Sequence, residues 1–335
     1  MDLKLKKLTT IAFSALVLAL HMGLTPPPEA QAQEMSSEER RCRRALARSS
    51  TRYFNKTMLA RQTCEQSRLS GRIASDTECR APATDIDCTS DADCPVAPED
   101  GGFCDTESRT CKPVLDDPQT VTALERAETG LNSDLATGCG SGAGVDLTKL
   151  GFPGICGSPS DGRAFDLGDL RECISKTTFA VVDALLDINF PTLEGLFTKG
   201  QTRCAKVVND RSRRLARREM RARQGCLLKE ERGQLGALVP VDCREPVPPY
   251  GDGTGDRNTD TSIVSSYRSL LTRIPPRCAT ANVRALYEGN GCLDSTAGGF
   301  NVFDLQLCVF DSSRAADPPL LELSFPSPPD CGNGT

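Results

Sequence analysis

The sequence predicts a mainly α-helical protein of two tandem disulfide-stapled helical units, with a small irregular disulfide-rich insertion in the first. Three observations carry that expectation. One heptapeptide is written twice, as MLARQTC at 58–64 and MRARQGC at 220–226. All 17 cysteines lie beyond an N-terminal leader, and in an exported chain disulfides are their default state. Long stretches without proline or glycine carry apolar residues at helical spacing.

The leader comes first. Lys4, Lys6 and Lys7 form a positive n-region, LTTIAFSALVLALHMGL supplies an apolar h-region, and Ala30 and Ala32 stand in the A-x-A cleavage pattern. Residues 1–32 are read as a signal peptide cut after Ala32. The apolar run falls short of the about 20 residues of a bilayer span, so no membrane span remains after signal removal. The chain's single histidine, His21, leaves with the leader, and there is no tryptophan. That excludes an imidazole general base, a Ser-His-Asp triad, a Cys-His dyad and imidazole metal sites. Loss of three lysines, Asp2 and Glu29 leaves a modest acidic excess, which favours solubility and points to no partner.

The heptapeptide closes a longer match. Residues 40–64 align without gaps to the segment ending at Cys226, placing Cys42 on Cys204 and Cys64 on Cys226. A second gapless block overlays 169–191 on 304–326, sharing DL-x-x-C, LL and FP. Between the blocks lie Cys79, Cys139 and Cys156 in one copy and Cys243, Cys278 and Cys292 in the other. Two ordered blocks and the same cysteine order argue for a tandem duplication. The expected units are 33–197, carrying an insertion at 85–115, and 198–327. Residues 328–335 form a tail that reads as the start of a further cysteine-rich repeat.

Each unit opens with a long helix. Ser36 and Glu39 make a capping box, and 38–64 contains neither proline nor glycine. Cys42, Leu46, Ser49, Tyr53, Thr57, Ala60 and Cys64 fall on one stripe. About 33 Å of helix separates its two cysteines at ~1.5 Å per residue, so each must reach a different element. The second copy keeps the stripe through Cys204, Val208, Leu215, Ala222 and Cys226, with Arg211 and Glu219 expected to loosen it. Further helices are predicted over 120–135, 166–186 and 261–274. The core of the second of these is Leu170, Cys173, Phe179, Val182 and Leu186. A shorter helix is predicted around 303–313, before Pro318 and Pro319. The expected pairing is Cys64–Cys79, Cys139–Cys156 and Cys42–Cys173, repeated as Cys226–Cys243, Cys278–Cys292 and Cys204–Cys308, one of several that six cysteines allow.

The insertion carries Cys88, Cys94, Cys104 and Cys111 in a Gly-, Pro- and Asp-rich stretch, too poor in apolar residues to fold without disulfides. Its pairing stays open. C-x5-C-x9-C-x6-C resembles the small cysteine-rich modules of the Dickkopf N-terminal type. C-x-x-D-x-D-C-P, the DCGNGT tail and the paired C-x21-C helices resemble secreted cysteine-rich repeat proteins of the myxobacterial type. That resemblance implies a secreted, disulfide-rich protein and brings no activity with it. The family's CGNG opening normally starts a longer module; here the sequence stops, so either it is a truncated fragment or Cys331 is unpaired or intermolecular.

Candidate sites are few. Residues 40–61 hold eight basic and no acidic side chains, and 203–223 hold nine basic and two acidic. One reading is a docking face for anionic envelope polymer, with Arg213, Arg214, Arg217 and Arg221 as the contact residues. The simpler reading is a solvated arginine face, or one neutralised by residues 76–118 with their twelve acids and three bases. Too few aromatics interleave for specific nucleic-acid reading. GDGTGDRNTDTS (251–262) spaces Asp252, Thr254, Asp256, Asn258 and Asp260 like calcium ligands, but Arg257 and Ile263 occupy the positions of the turn glycine and the bidentate glutamate. It reads as a flexible linker, as do Asp85, Asp87, Asp91 and Asp93. GCGSGAG (138–144) reads as a loop between disulfides. The sequence thus points to a secreted, non-enzymatic structural or binding module at the cell surface. It has no cofactor or metal, and its partner is a cell-envelope polymer or another secreted protein. The alternative is a protease inhibitor presenting 95–103 from the insertion.

Overall fold

The computed structural model describes residues 35–75, 77, 79, 103–105, 110–112, 117–140, 145–159, 162–190, 197–235, 241–247, 251–279, 281–288, 292 and 299–326. Its architecture is mainly helical. The helices are α1 (Ser37–Leu69), α2 (Pro118–Cys139), α3 (Leu167–Asn189), α4 (Lys199–Glu230), α5 (Arg257–Arg273), α6 (Pro275–Cys278), α7 (Val283–Tyr287), α8 (Val302–Ala315) and α9 (Asp317–Glu322). Within the insertion, β1 (Phe103–Asp105) and β2 (Thr110–Lys112) pair antiparallel, with Cys104 opposite Cys111 in the backbone register.

Local signals set the helix starts. At α3, Asp166 accepts from the Gly168 and Asp169 amides while the Asp169 side chain accepts from the Asp166 amide. Asn301 and Asp304 do the same at α8, and Thr198 and Gln201 at α4. Each reciprocal pair satisfies orphan amides of the first turn. Aligned positions thus start their helices the same way. Pro318 and Pro319 end nothing by themselves: after α8 they occupy the first turn of α9, where a missing amide costs no hydrogen bond.

The stripe expected on α1 is buried along its whole length, from Cys42 (0 %) to Cys64 (1 %). The stripe on α4 is buried at Cys204, Val208, Leu215 and Cys226, with Ala222 half-buried. Glu219 does not loosen that helix. It is 1 % exposed and bonded to Arg223 one turn on. Arg211 donates to Ser269 of α5 at 3.0 Å, so it too holds a neighbour.

Among the described residues six disulfides are formed: Cys42–Cys139, Cys64–Cys79 and Cys156–Cys173, then Cys204–Cys278, Cys226–Cys243 and Cys292–Cys308. Cys64–Cys79 and Cys226–Cys243 coincide with the expected pairs. The other four correct the expectation: Cys42 does not bond Cys173, nor Cys139 Cys156, nor Cys204 Cys308, nor Cys278 Cys292. The reason is the packing of α2 along α1. Arg41 reaches the Thr137 carbonyl, and Arg52 reaches Asp134. This antiparallel lie brings the last residue of α2 against the start of α1. The contact is close because position 138 is glycine: a Cβ there would stand 2.1 Å from the Ala45 Cβ. Gly138 and Cys139 therefore belong to a helix, not to a loop as the GCGSGAG run suggested. Cys42–Cys139 and Cys204–Cys278 each have Cα atoms 4.5 Å apart. Crosslinks closing loops of 97 and 74 residues contribute about 4–5 kcal/mol each in the chain-entropy picture.

The described residues from Ser37 onward form one compact unit. The segments expected as two units share their interior. Ala47 of α1 packs with Cys226, Leu227, Cys243, Leu321 and Phe325, while Ile188 and Phe197 pack on the core around α4 and α8. α1 and α4 run antiparallel: Thr51 donates to Gln224 at 2.8 Å, and Gln62 to the Asn209 carbonyl at 2.9 Å. The contacts are also exchanged. Ser50 of α1 bonds Ser324 beyond α9, while Asn189 at the end of α3 bonds Ser212 of α4, both at 2.9 Å. Ser50 aligns with Ser212, and Asn189 with Ser324.

The repeated heptapeptide is buried at the same four positions in both places. Met58 and Met220 are 0 % exposed. Arg61 pairs with Asp183 of α3, and Arg223 with Asp317 of α9 at 2.8 Å. Gln62 and Gln224 cross to the opposite half, and Cys64 and Cys226 close the short disulfides. Four of its seven positions thus hold a core contact, an ion pair, a crossing hydrogen bond or a crosslink.

The 251–262 segment is ordered, which corrects its reading as a flexible linker. Asp260 accepts from the Thr254 amide and hydroxyl at 2.9 and 2.8 Å, and Lys229 reaches Asp256 at 2.8 Å. Its oxygens are engaged in a turn before α5. Gly253 holds φ 95° there, and a Cβ at that position would lie 2.8 Å from an Asp260 oxygen.

Candidate functional site: two arginine surfaces

Charge sorts the arginines of α1 and α4 into buried and outward groups. Arg43, Arg61 and Arg223 are 7 %, 1 % and 3 % exposed, which requires partners for each charge. Arg43 bonds Glu231 at 3.0 Å and the Ser324 carbonyl at 2.8 Å, and lies over the Phe325 ring. Burial lowers its pKa, partly offset by Glu231. Arg61 lies 4.5 Å over the Phe179 ring. These three hold the fold together and offer nothing to a ligand.

Arg213, Arg214, Arg217 and Arg221 share one side of α4, but only some are open. Arg213 donates to Asn55 of α1 at 2.7 Å and pairs with Asp210 at 3.1 Å. Arg217 donates to the same Asn55 oxygen at 3.3 Å. Both are half-buried between α4 and α1. Arg214 is exposed and pairs with Asp210 at 2.9 Å. Arg218 and Arg221 are exposed. The cluster is crowded with like charge. Burial lowers the pKa of Arg217, and Arg221, Arg213, Arg218 and Arg214 lower it further. Burial likewise lowers that of Arg211; Asp210 raises it, and Arg214, Arg273 and Arg218 lower it. Each guanidinium still carries its charge at neutral pH, so the cluster concentrates positive potential where a bound anion relieves repulsion.

A second surface lies within the basic run 40–61, which the sequence marked without naming contact residues. Arg41, Arg44, Arg48 and Arg52, spaced three, four and four apart, line one side of a groove between α1 and α2. Asp134, Thr137 and Gly138 form the other side, with Ala45 at the floor. The cavity measures ≈ 470 Å³. The helical spacing of these arginines was the available signal.

The acids buried around Arg223 offer no opening. Glu219 and Asp317 both bond Arg223, at 3.0 and 2.8 Å. They are 1 % and 4 % exposed, so no substrate reaches them. Burial, with Glu219 nearby, pushes the Asp317 carboxyl up to about 8 against the pull of Arg223 and Arg314. Among the described residues no group of three or more His, Cys, Asp or Glu side chains is placed to hold a metal. No helix among them is long and apolar enough to cross a membrane.

Several sequence-predicted positions lie outside the described residues: Ala30 and Ala32 at the cleavage site, Asp85, Asp87, Asp91 and Asp93, Cys88 and Cys94, and Cys331 in the tail. So do residues 95–102 of the proposed inhibitory segment. For Cys104 and Cys111 only the backbone pairing is described. In comparisons with known proteins, no family, no curated protein and no solved structure matches the chain.

Proposed function

We propose that the chain is a secreted, non-enzymatic binding module, a tandem duplication of one helical unit, which docks anionic cell-envelope polymer through the outward arginines of α4. What supports this is the crowding on α4. Arg213, Arg214, Arg217, Arg218 and Arg221 stand together with Asp210 as the acid paired to them. A folded protein tolerates such repulsion most readily where a polyanion neutralises it. The six crosslinks support export to an oxidising compartment, and the resemblance to secreted cysteine-rich repeat proteins belongs to the same reading.

The test is chromatography of the intact protein on immobilised heparin across a salt gradient. The exposed positions Arg214, Arg218 and Arg221 are replaced together by glutamate. The expected outcome is retention by the parent protein, and elution of the triple variant at markedly lower salt. Elution unchanged by reversing those three charges rejects the α4 face.

A further inference from the structure

We infer that the groove between α1 and α2 is a second, independently built site, and that it takes a linear polysaccharide bearing sulfate or phosphate groups. This inference extends the polyanion reading to a different surface and names the ligand class. Its geometry carries the argument. Arg41, Arg44, Arg48 and Arg52 line the groove, and 11 residues of helix spread them over about 16 Å at ~1.5 Å per residue. Their Cα atoms therefore rise about 4.5–6 Å from one to the next along the axis. A row of that length matches several charges of a chain better than one small anion.

The end members are braced, and the middle ones are open. Arg41 donates to the Thr137 carbonyl at 2.9 Å, and Arg52 pairs with Asp134 at 2.7 Å. Arg44 and Arg48 have no hydrogen bond or ion pair among the described residues. Four cations against the single carboxylate of Asp134 leave the lining strongly positive. The walls are also fixed in advance. Cys42 and Cys139 crosslink α1 to α2 beside the groove, with Cα atoms 4.5 Å apart, and Gly138 seats against Ala45. A rigid wall removes the cost of ordering the site when a ligand arrives.

The chemistry of the lining selects the ligand. Guanidinium forks donate two parallel hydrogen bonds to a tetrahedral oxyanion. No aromatic residue lines the groove, so it lacks the platforms on which nucleic-acid bases stack. An oxyanion-bearing glycan is therefore favoured over a nucleic acid.

The experiment titrates the full-length secreted protein with three fluorescent probes of matched charge: a heparin octasaccharide, a phosphomannan oligosaccharide and a single-stranded DNA octamer. Affinities are measured from 50 to 300 mM salt. The variant R44A/R48A removes no hydrogen bond or ion pair among the described residues, and D134A removes the competing carboxylate. We expect at least one glycan to bind more tightly than DNA, with sulfate and phosphate sources told apart by the two glycan affinities. R44A/R48A should weaken that glycan at least 10-fold and flatten its salt slope by about 1.5. D134A should tighten it two- to threefold, which a merely structural role would not produce.

Glycan affinity unchanged in R44A/R48A but lost in the α4 triple variant overturns the groove and leaves the α4 reading standing. No glycan binding at 50 mM salt overturns both. DNA bound as tightly as either glycan overturns the ligand class. Glycan binding that appears only after deletion of residues 85–115 also overturns the proposal, by showing that the chain's own acidic insertion occupies the groove.

Discussion

Arg61 and Arg223 occupy aligned positions in the repeated heptapeptide, and both reach the last helical segment of their own half. Their surroundings differ. Arg61 pairs with Asp183, whose side chain is 21 % exposed, and rests on the Phe179 ring. Arg223 pairs with Glu219 and Asp317, both nearly sealed from water, and also donates to the Cys243 and Glu245 carbonyls at 2.9 Å. The same residue thus pairs with a partly exposed acid in one half and with two sealed acids in the other. The break between α8 and α9 moves the acid, because Asp317 stands one position before the residue that aligns with Asp183. A repeat preserves the arginine, while local backbone decides what it is worth.

The largest expected effect breaks that comparison directly. Arg223→Met leaves the buried Glu219 and Asp317 side chains without their shared donor and should cost about 3–5 kcal/mol of stability. Arg61→Met leaves Asp183 able to reach water and should cost about 1–2 kcal/mol less. Urea denaturation of both variants measures the gap, and equal losses would erase the distinction between the halves.

A pH scan sharpens it. The folded-state pKa of Asp317 is raised to about 8 by burial and by Glu219, whereas in the unfolded chain it titrates near 3.8. Between those values the folded state holds a proton that the unfolded state releases, so stability falls as pH rises from about 4 to about 8. The expected loss between pH 5 and pH 8 is about 2–4 kcal/mol, read from thermal midpoints. Asp317→Asn should flatten the profile. A parent protein equally stable at both pH values contradicts the cluster's acidity.

The smallest effect concerns the crossing glutamines. Gln224 accepts from Thr51 and donates to Ser324, at 2.8 and 3.3 Å. Gln62 donates to the Asn209 carbonyl at 2.9 Å. Each Gln→Ala change should cost about 1–2 kcal/mol through unpaired buried partners. A double variant more costly than the two losses added would show that the halves couple through both crossings.

Much of the fold was legible. The extent of α1 followed from a run without proline or glycine, and its buried face from spacing alone. The heptapeptide was marked as special by its repetition, yet the burial of Arg61 and Arg223 was not, because a charged side chain gives no apolar signal. The basic character of the candidate site was equally plain. Which arginines stay open was not: Arg213 and Arg217 turn inward only because Asn55 of α1 lies opposite them. Arg44 and Arg48 form a groove wall only because α2 runs alongside.

What the sequence determined by itself were the helices, their caps, the doubled cysteine order and the place of the single histidine at position 21, since spacing, capping and composition act within a few residues of chain. What only tertiary structure decided were four of the six disulfides, the shared interior of the two halves and the location of unneutralised charge. Those depend on which surfaces meet across tens or hundreds of residues, as Gly138 meeting Ala45 brings Cys139 to Cys42.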